Sequence, residues 1–91
     1  MDLRTYLNQA TRGEAARVAR DVGVHPVMVS QWASGRKEVP VDRSAPLERA
    51  TGAAVRRWEL RPTDWFVHWP ELVGTEGAPE IPSEEEVQRA A

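Results

Sequence analysis

Apolar residues at Leu3, Tyr6, Leu7 and Ala10 recur at helical spacing and predict a short amphipathic helix at the start of the chain. Thr11 is then placed as an N-cap, with Glu14 three positions later closing a capping box. That box opens a second helix from about Arg12 to Val22, whose Ala and Arg content favours helix. Gly23 follows its last apolar residue, where a left-handed residue is wanted. Pro26 suits the first turn of a third helix, which ends near Ser34 ahead of Gly35. Arg36–Val39 reads as a polar loop. Pro40 precedes the helical stretch VDRSAPLERATG, stopped at Gly52. Pro46 sits awkwardly inside it, so this helix is predicted to start late, near Ser44, or to bend. Ala53–Leu60 fits either one helical turn or a short strand. RPTDW supplies a turn and a helix start, with Thr63 or Asp64 as the cap of WFVHW and Pro70 as its end. From Gly74 onward the chain is rich in Gly, Pro and Glu and nearly free of apolar residues, so the expectation is disorder. Within that tail Ser83–Ala91 is a candidate transient helix, led by acids at its positive end. No internal repeat is present. The prediction is an all-α bundle of about five short helices over residues 1–73, followed by a tail over 74–91.

The second and third helices can be tested as a pair. Two short helices around a glycine turn have the anatomy of a helix-turn-helix. Steep packing of such a pair buries the fourth, fifth, eighth, tenth, fifteenth and eighteenth positions, which counted from Ala15 are Val18, Ala19, Val22, Val24, Val29 and Trp32. All of them are apolar. The fifth must also be small, because the second helix crosses above it, and it is alanine. The ninth must tolerate a positive φ, and it is Gly23. Arg17, Arg20, Asp21, His25, Ser30 and Gln31 give the remaining positions a polar face.

Composition then narrows the class. At 91 residues the chain fits one small domain plus a tail. The absence of cysteine removes disulfides, thiolate zinc sites and cysteine nucleophiles together. No apolar run approaches the roughly 20 residues of a membrane helix. MDLRTYL lacks a signal-peptide shape, so a cytoplasmic location, on the nucleoid when bound, is expected. The net charge of −2 argues against a nucleic-acid partner only until it is read by segment. Residues 1–62 hold eleven bases and seven acids, a net of +4, and residues 63–91 hold one base and seven acids, a net of −6. A basic body with an acidic appendix permits a polyanionic partner.

The stretch GEAARVARDVGVHPVMVSQWASGRKEVP resembles the helix-turn-helix of Cro/CI-type regulators, and closely that of the YdaS-like prophage Cro group. The similarity continues through VDRSAPLERATGAAV and LRPTDW…WPEL and covers roughly residues 1–73. It implies a lambda-repressor-like bundle and a small DNA-binding transcriptional regulator, in a group that also includes an antitoxin class. His25 departs from the pattern, since a Ser or Thr usually caps the recognition helix there and histidine is a poorer N-cap.

If Pro26–Ser34 is the recognition helix, its exposed N-terminal residues face base edges in the major groove. Those are Val27, Met28, Ser30 and Gln31. Gln31 is the leading readout candidate, because its amide matches adenine N6 and N7 bidentately. Val27 and Met28 suit a thymine methyl, or else simply extend the core. Gln31 read blandly is a solvated amide. Arg36 and Lys37 follow in the loop, where they suit phosphates and set register without reading sequence. Thr11 and Arg12 are candidates for phosphate contact at the start of the first motif helix. His25, Ser34 and Arg43 complete that set, with a solvated charge as the plain alternative for Arg43. Arg17 and Arg20 are assigned instead to Glu14, Asp21 or Glu48.

Trp32 belongs to the core by the pattern above. Trp58, Trp65 and Trp69 either close the small core or, with Phe66 and Leu60, contribute a dimer patch. Trp58, Leu60, Trp65 and Phe66 are the residues assigned to that patch, since aromatic anchors dominate both settings. No catalytic constellation is present: His25 and His68 lack paired-ligand spacing, and no glycine loop is followed by a helix and lysine. The expected protein is therefore not an enzyme and needs no cofactor or metal. The expected partner is a near-palindromic double-stranded DNA operator, bound by a homodimeric repressor. Two rivals stand beside it. One is an antitoxin that binds a toxin, through residues 63–91 for instance, and represses its own operon. The other is a helix-turn-helix module for protein interaction, consistent with the lack of charge in Pro26–Ser34.

Overall fold

The computed structural model describes residues 1–81, so the transient helix expected over Ser83–Ala91 lies outside the described residues. The elements are α1 (Leu3–Gln9), α2 (Glu14–Val22), α3 (Pro26–Ser34), α4 (Val41–Ala50), α5 (Arg57–Leu60) and α6 (Trp65–His68), then a 3-10 turn at Pro70–Leu72. The protein is all-α among the described residues, which resolves Ala53–Leu60 in favour of a helical turn.

Two local expectations are corrected. The cap of α2 is Gly13, left-handed at φ +92°, and not Thr11. Thr11 lends only its carbonyl, which accepts the Glu14 N–H at 3.2 Å. Glu14 is the first helical residue, two positions too early to close a capping box on Gly13. The second correction concerns α4, which begins at Val41 and runs through Pro46. Pro46 has no N–H for the carbonyl of Asp42, but Asp42 is exposed, so water can take that carbonyl. Asp64 is the N-cap residue of α6, as one of the two candidates predicted, although its side chain makes no capping bond. Residues 74–81 form turns and an irregular stretch, in which Thr75 Oγ1 donates to the Leu72 carbonyl at 2.6 Å.

The main core gathers Val18, Ala19, Val29, Leu47 and Val55, with Leu3, Val22, Trp32 and Val39 around them. Five of the six pattern positions in the helix pair are buried, and the sixth, Val24, is half-buried against the same core. Trp65 and Leu72 are buried apart from this cluster. The Trp65 ring meets Trp58 and Phe66 edge-on, with centroids 5.8 and 5.9 Å away. The C-terminal helices thus form a satellite core of their own.

One polar network ties α1, α2 and α4 together. The Tyr6 hydroxyl donates to the Glu14 carboxylate. Arg17 donates to Glu14 at 2.6 and 2.8 Å, to Asp21 at 2.7 Å, and to the Ala50 carbonyl at 2.7 Å. The Arg17 guanidinium, helped by the Tyr6 hydroxyl, holds the Glu14 carboxyl down at about 2 from an ordinary 4.5. A carboxyl lowered by folding adds stability that is complete above its unfolded value and lost as pH falls through the folded one. Unfolding midpoints should therefore fall between pH 4.5 and about 2 through this group. Glu14→Gln should flatten that part of the profile, measured by urea unfolding at several pH values. Parallel profiles for the two proteins would show that the network does not form in solution.

Candidate nucleic-acid interface

The geometry of the helix pair begins at its turn. Gly23, at φ +87°, closes α2 by donating its N–H to the Ala19 carbonyl, and the Val24 N–H reaches the same oxygen. Only a residue that tolerates a left-handed backbone serves here without strain. Arg43 reaches across from α4, and its Nη1 donates to the Val22 carbonyl at 3.1 Å. A cation on the last carbonyls of α2 also suits the negative end of that helix.

α3 starts on His25, whose Nδ1 accepts the Val27 N–H at 3.1 Å. The imidazole does the work of the Ser or Thr hydroxyl expected at this position, and Pro26 occupies the first turn. The structure therefore assigns the Nδ1 face of His25 to capping.

From this platform α3 exposes Val27 and Ser30, with Val27 at 55% exposure. Gln31 is half-buried, and its side-chain amide has no hydrogen-bond partner among the described residues. Its backbone carbonyl accepts the Ser34 hydroxyl and the Lys37 N–H, each at 3.2 Å, which fixes the loop to the end of the helix. Met28 is half-buried and packs on the core, as its plainer reading had it. Ser34, Arg36 and Lys37 are exposed at the C-terminal end of α3. Thr11 and Arg12 are exposed as well, but they lie ahead of α2 instead of at its first turn. Of the phosphate candidates, Arg43 is the least free, being half-buried with one nitrogen engaged by α2.

Charge pairing inside the fold is uneven. Glu14 and Asp21 pair with Arg17, Glu48 with Arg57, Glu38 and Asp64 with Arg61, and Glu59 with the N-terminal amine. Arg4, Arg12, Arg20, Arg36, Lys37, Arg43 and Arg49 form no ion pair among the described residues. Within 1–62 only Asp2 and Asp42 are acids in the same position, and Asp2 caps α1. Folding thus pairs most of the negative charge of the body and leaves much of its positive charge outward, a field that attracts a polyanion.

The aromatic patch divides differently from the expectation. Trp65 is 1% exposed, so its place in a dimer surface is corrected: its ring is filled on every side by its own chain. Trp58, Leu60 and Phe66 are half-buried. Trp58 carries the Arg56 guanidinium 4.6 Å above its ring, and Leu60 packs on the main core. The apolar residues that α6 and its neighbour present outward are Val67 and Val73, which sequence reading passed over. The signal for Val67 lay in the spacing, since Trp65 turned inward puts a residue two positions on at the outer face of α6.

The family described as "Bacterial toxin YdaS" matches residues 7–68, well over half of the chain. A protein of Escherichia coli (strain K12) named "Putative transcriptional regulator YdaS" is 42% identical over 57 residues. That match takes in 62% of this chain and 58% of the relative, so the chain spans less than two thirds of the relative's length.

Proposed function

The chain belongs to the YdaS family, and from that premise we propose that it is a sequence-specific DNA-binding transcriptional regulator that acts as a Cro-type homodimeric repressor. The observation that carries this reading is the pairing of a capped α3 with bases left outward around it: His25 and Gly35 fix the ends of the helix, and Arg36 and Lys37 stand unpaired beside it. The name of the relative, a transcriptional regulator, supports the same role. In this reading α3 enters the major groove, with Val27, Ser30 and Gln31 toward base edges and Met28 at their margin. Thr11, Arg12, Ser34, Arg36 and Lys37 meet phosphates on either side, while Arg43 and the free edge of His25 lie at the turn. Two copies would read half-sites about one helical turn, roughly 10 base pairs, apart. Occupying a promoter then suffices for repression, with no reaction to catalyse.

Selection from a random duplex pool at two salt concentrations tests the proposal. An enriched near-palindrome is the expected result, with affinity falling as salt rises. Retention of duplex without enrichment would overturn sequence specificity. A second reading draws on the family's description as a toxin: a toxin–antitoxin pair in which the chain engages a protein through its acidic C-terminal part. The family's name puts the toxin on its own side of such a pair, the reverse of the antitoxin role that the resemblance implied. Absence of DNA retention together with copurification of a neighbouring gene product would favour that reading.

A further inference from the structure

α1 lies outside the helix-turn-helix, yet it packs along α3. Two clefts open on that seam. The first, of about 270 Å3, is lined by Arg4, Leu7 and Asn8 of α1 and by Ser30, Ala33 and Ser34 of α3. The second continues past Ser34 into the following loop, where Arg4 and Lys37 line the same space. Arg4 therefore borders both clefts, one turn of helix from Asn8, and reaches the side of α3 that carries Ser30.

The acids of the second cleft are Asp2, Glu38 and Glu59. Each is engaged within the fold. Asp2 accepts the Thr5 N–H at 2.7 Å, Glu38 pairs with Arg61 at 2.8 Å, and Glu59 holds the N-terminal amine and accepts the Arg56 N–H. Arg4 and Lys37 have no such partner among the described residues. The Asp2 carboxylate keeps its charge, and the C-terminal end of α3 adds about half a negative charge; the three cations of Arg4, Arg36 and Lys37 outweigh both. A solvent-open seam with hydroxyls on its floor and unpaired cations on its rim fits a phosphodiester. An Arg guanidinium in particular matches a phosphate with two parallel N–H donors.

We infer that Arg4 of α1 grips the DNA backbone alongside the recognition helix, with Lys37 across Ser34, so that the DNA interface extends beyond the helix-turn-helix. The inference rests on the DNA-binding reading above. A helix seated in the major groove has a phosphate strand along each flank, and contacts to those strands set register without reading bases.

The test is a titration of the full chain against its selected duplex and a scrambled one, from 50 to 200 mM salt, by fluorescence anisotropy. Arg4→Ala should weaken both duplexes equally, roughly fivefold per bound protomer at 0.15 M salt, and reduce the salt slope by about 0.9. Arg4→Lys should keep most of the slope, and Arg4→Gln should not. Arg49→Ala removes the same charge beside Asp21, Pro46 and Ala50, on the α2–α4 side, and should leave the slope unchanged. Wild-type binding with an unaltered slope for Arg4→Ala overturns this inference alone. An equal fall for Arg49→Ala also overturns it, by reducing the effect to net charge. No binding of either duplex by the wild type overturns the DNA reading together with it.

Discussion

Replacing Trp65 by Ala is expected to destabilise the domain by about 3–5 kcal/mol, the range for removing a buried aromatic ring. The ring is 1% exposed and sits edge-on to both Trp58 and Phe66, so its removal opens a cavity between them. A domain of this length holds a net stability of only about 3–5 kcal/mol, so the loss approaches the whole of it. Thermal unfolding followed by far-UV circular dichroism should shift by roughly 4–8 °C for each kcal/mol lost. Trp65→Phe keeps a ring in the cavity and should lose much less. A loss under about 1 kcal/mol for Trp65→Ala would contradict burial of the ring, because surface changes fall in that range. The consequence for DNA is separable. α6 packs chiefly on α5 and the 3-10 turn, away from α2 and α3. Molecules of the variant that remain folded at low temperature should keep the wild-type base preference, so a changed preference would mean that the satellite core positions α3 directly.

What the chain's pattern revealed was decided by how locally each feature is determined. The α2–α3 unit was legible because its constraints lie within twenty residues of one another: small Ala19 under the crossing, Gly23 at φ +87°, and apolar residues at each buried position. The ends of helices were less so. Thr11 looks like a cap, but Gly13 two residues later reaches a left-handed φ of +92° that no threonine adopts cheaply, and it takes the role. Pro46 looks like a break, yet Asp42, whose carbonyl it leaves without an intrahelical donor, is an exposed residue that water can serve. Neither outcome follows from propensity, since both depend on what the neighbouring backbone finds as partners. The tryptophans show the same limit. Sequence spacing could bring Trp58 and Trp65 together, as they are, but only the path through Arg61–Asp64 decides which ring is inside. That path is set by the Arg61 fork on Asp64 and by its bond to the Val39 carbonyl at 2.7 Å, a contact between residues far apart in the chain.

The candidate interface was legible in its members and not in their engagement. Arg36 and Lys37 are exposed in the loop where they were expected, and Arg12, expected at the start of a helix, is exposed ahead of it. Arg43 was indistinguishable from them in sequence, and its hold on the Val22 carbonyl comes from the packing of α4 under the turn. Arg4 was invisible as a candidate because α1 approaches α3 only in the folded chain. The net −2 of the sequence hid the asymmetry for a related reason. Charge that is neutralised internally and charge that is presented outward count equally in a sum, while only the latter steers a partner.

Gln31→Ala on the selected operator is expected to cost about 1–3 kcal/mol, or some five- to 150-fold in affinity, with almost no change on scrambled duplex. The reasoning starts from what the side chain lacks. Gln31 is half-buried on α3, and its amide has no hydrogen-bond partner among the described residues. An amide so presented offers a donor and an acceptor at the spacing of adenine N6 and N7. Losing it should flatten the preference at one base-pair position in each half-site and leave the salt slope unchanged, since no phosphate contact is removed. Gln31→Glu sharpens the assignment. A carboxylate only accepts, so the preferred base at that position should move toward cytosine, whose N4 donates. The two ways of being wrong are distinguishable. Equal loss on cognate and scrambled DNA would make Gln31 a support of the helix, whose backbone carbonyl already holds Ser34 and Lys37. No loss on either would leave it a solvated amide and shift base reading to Val27 and Ser30, the residues that α3 exposes most openly.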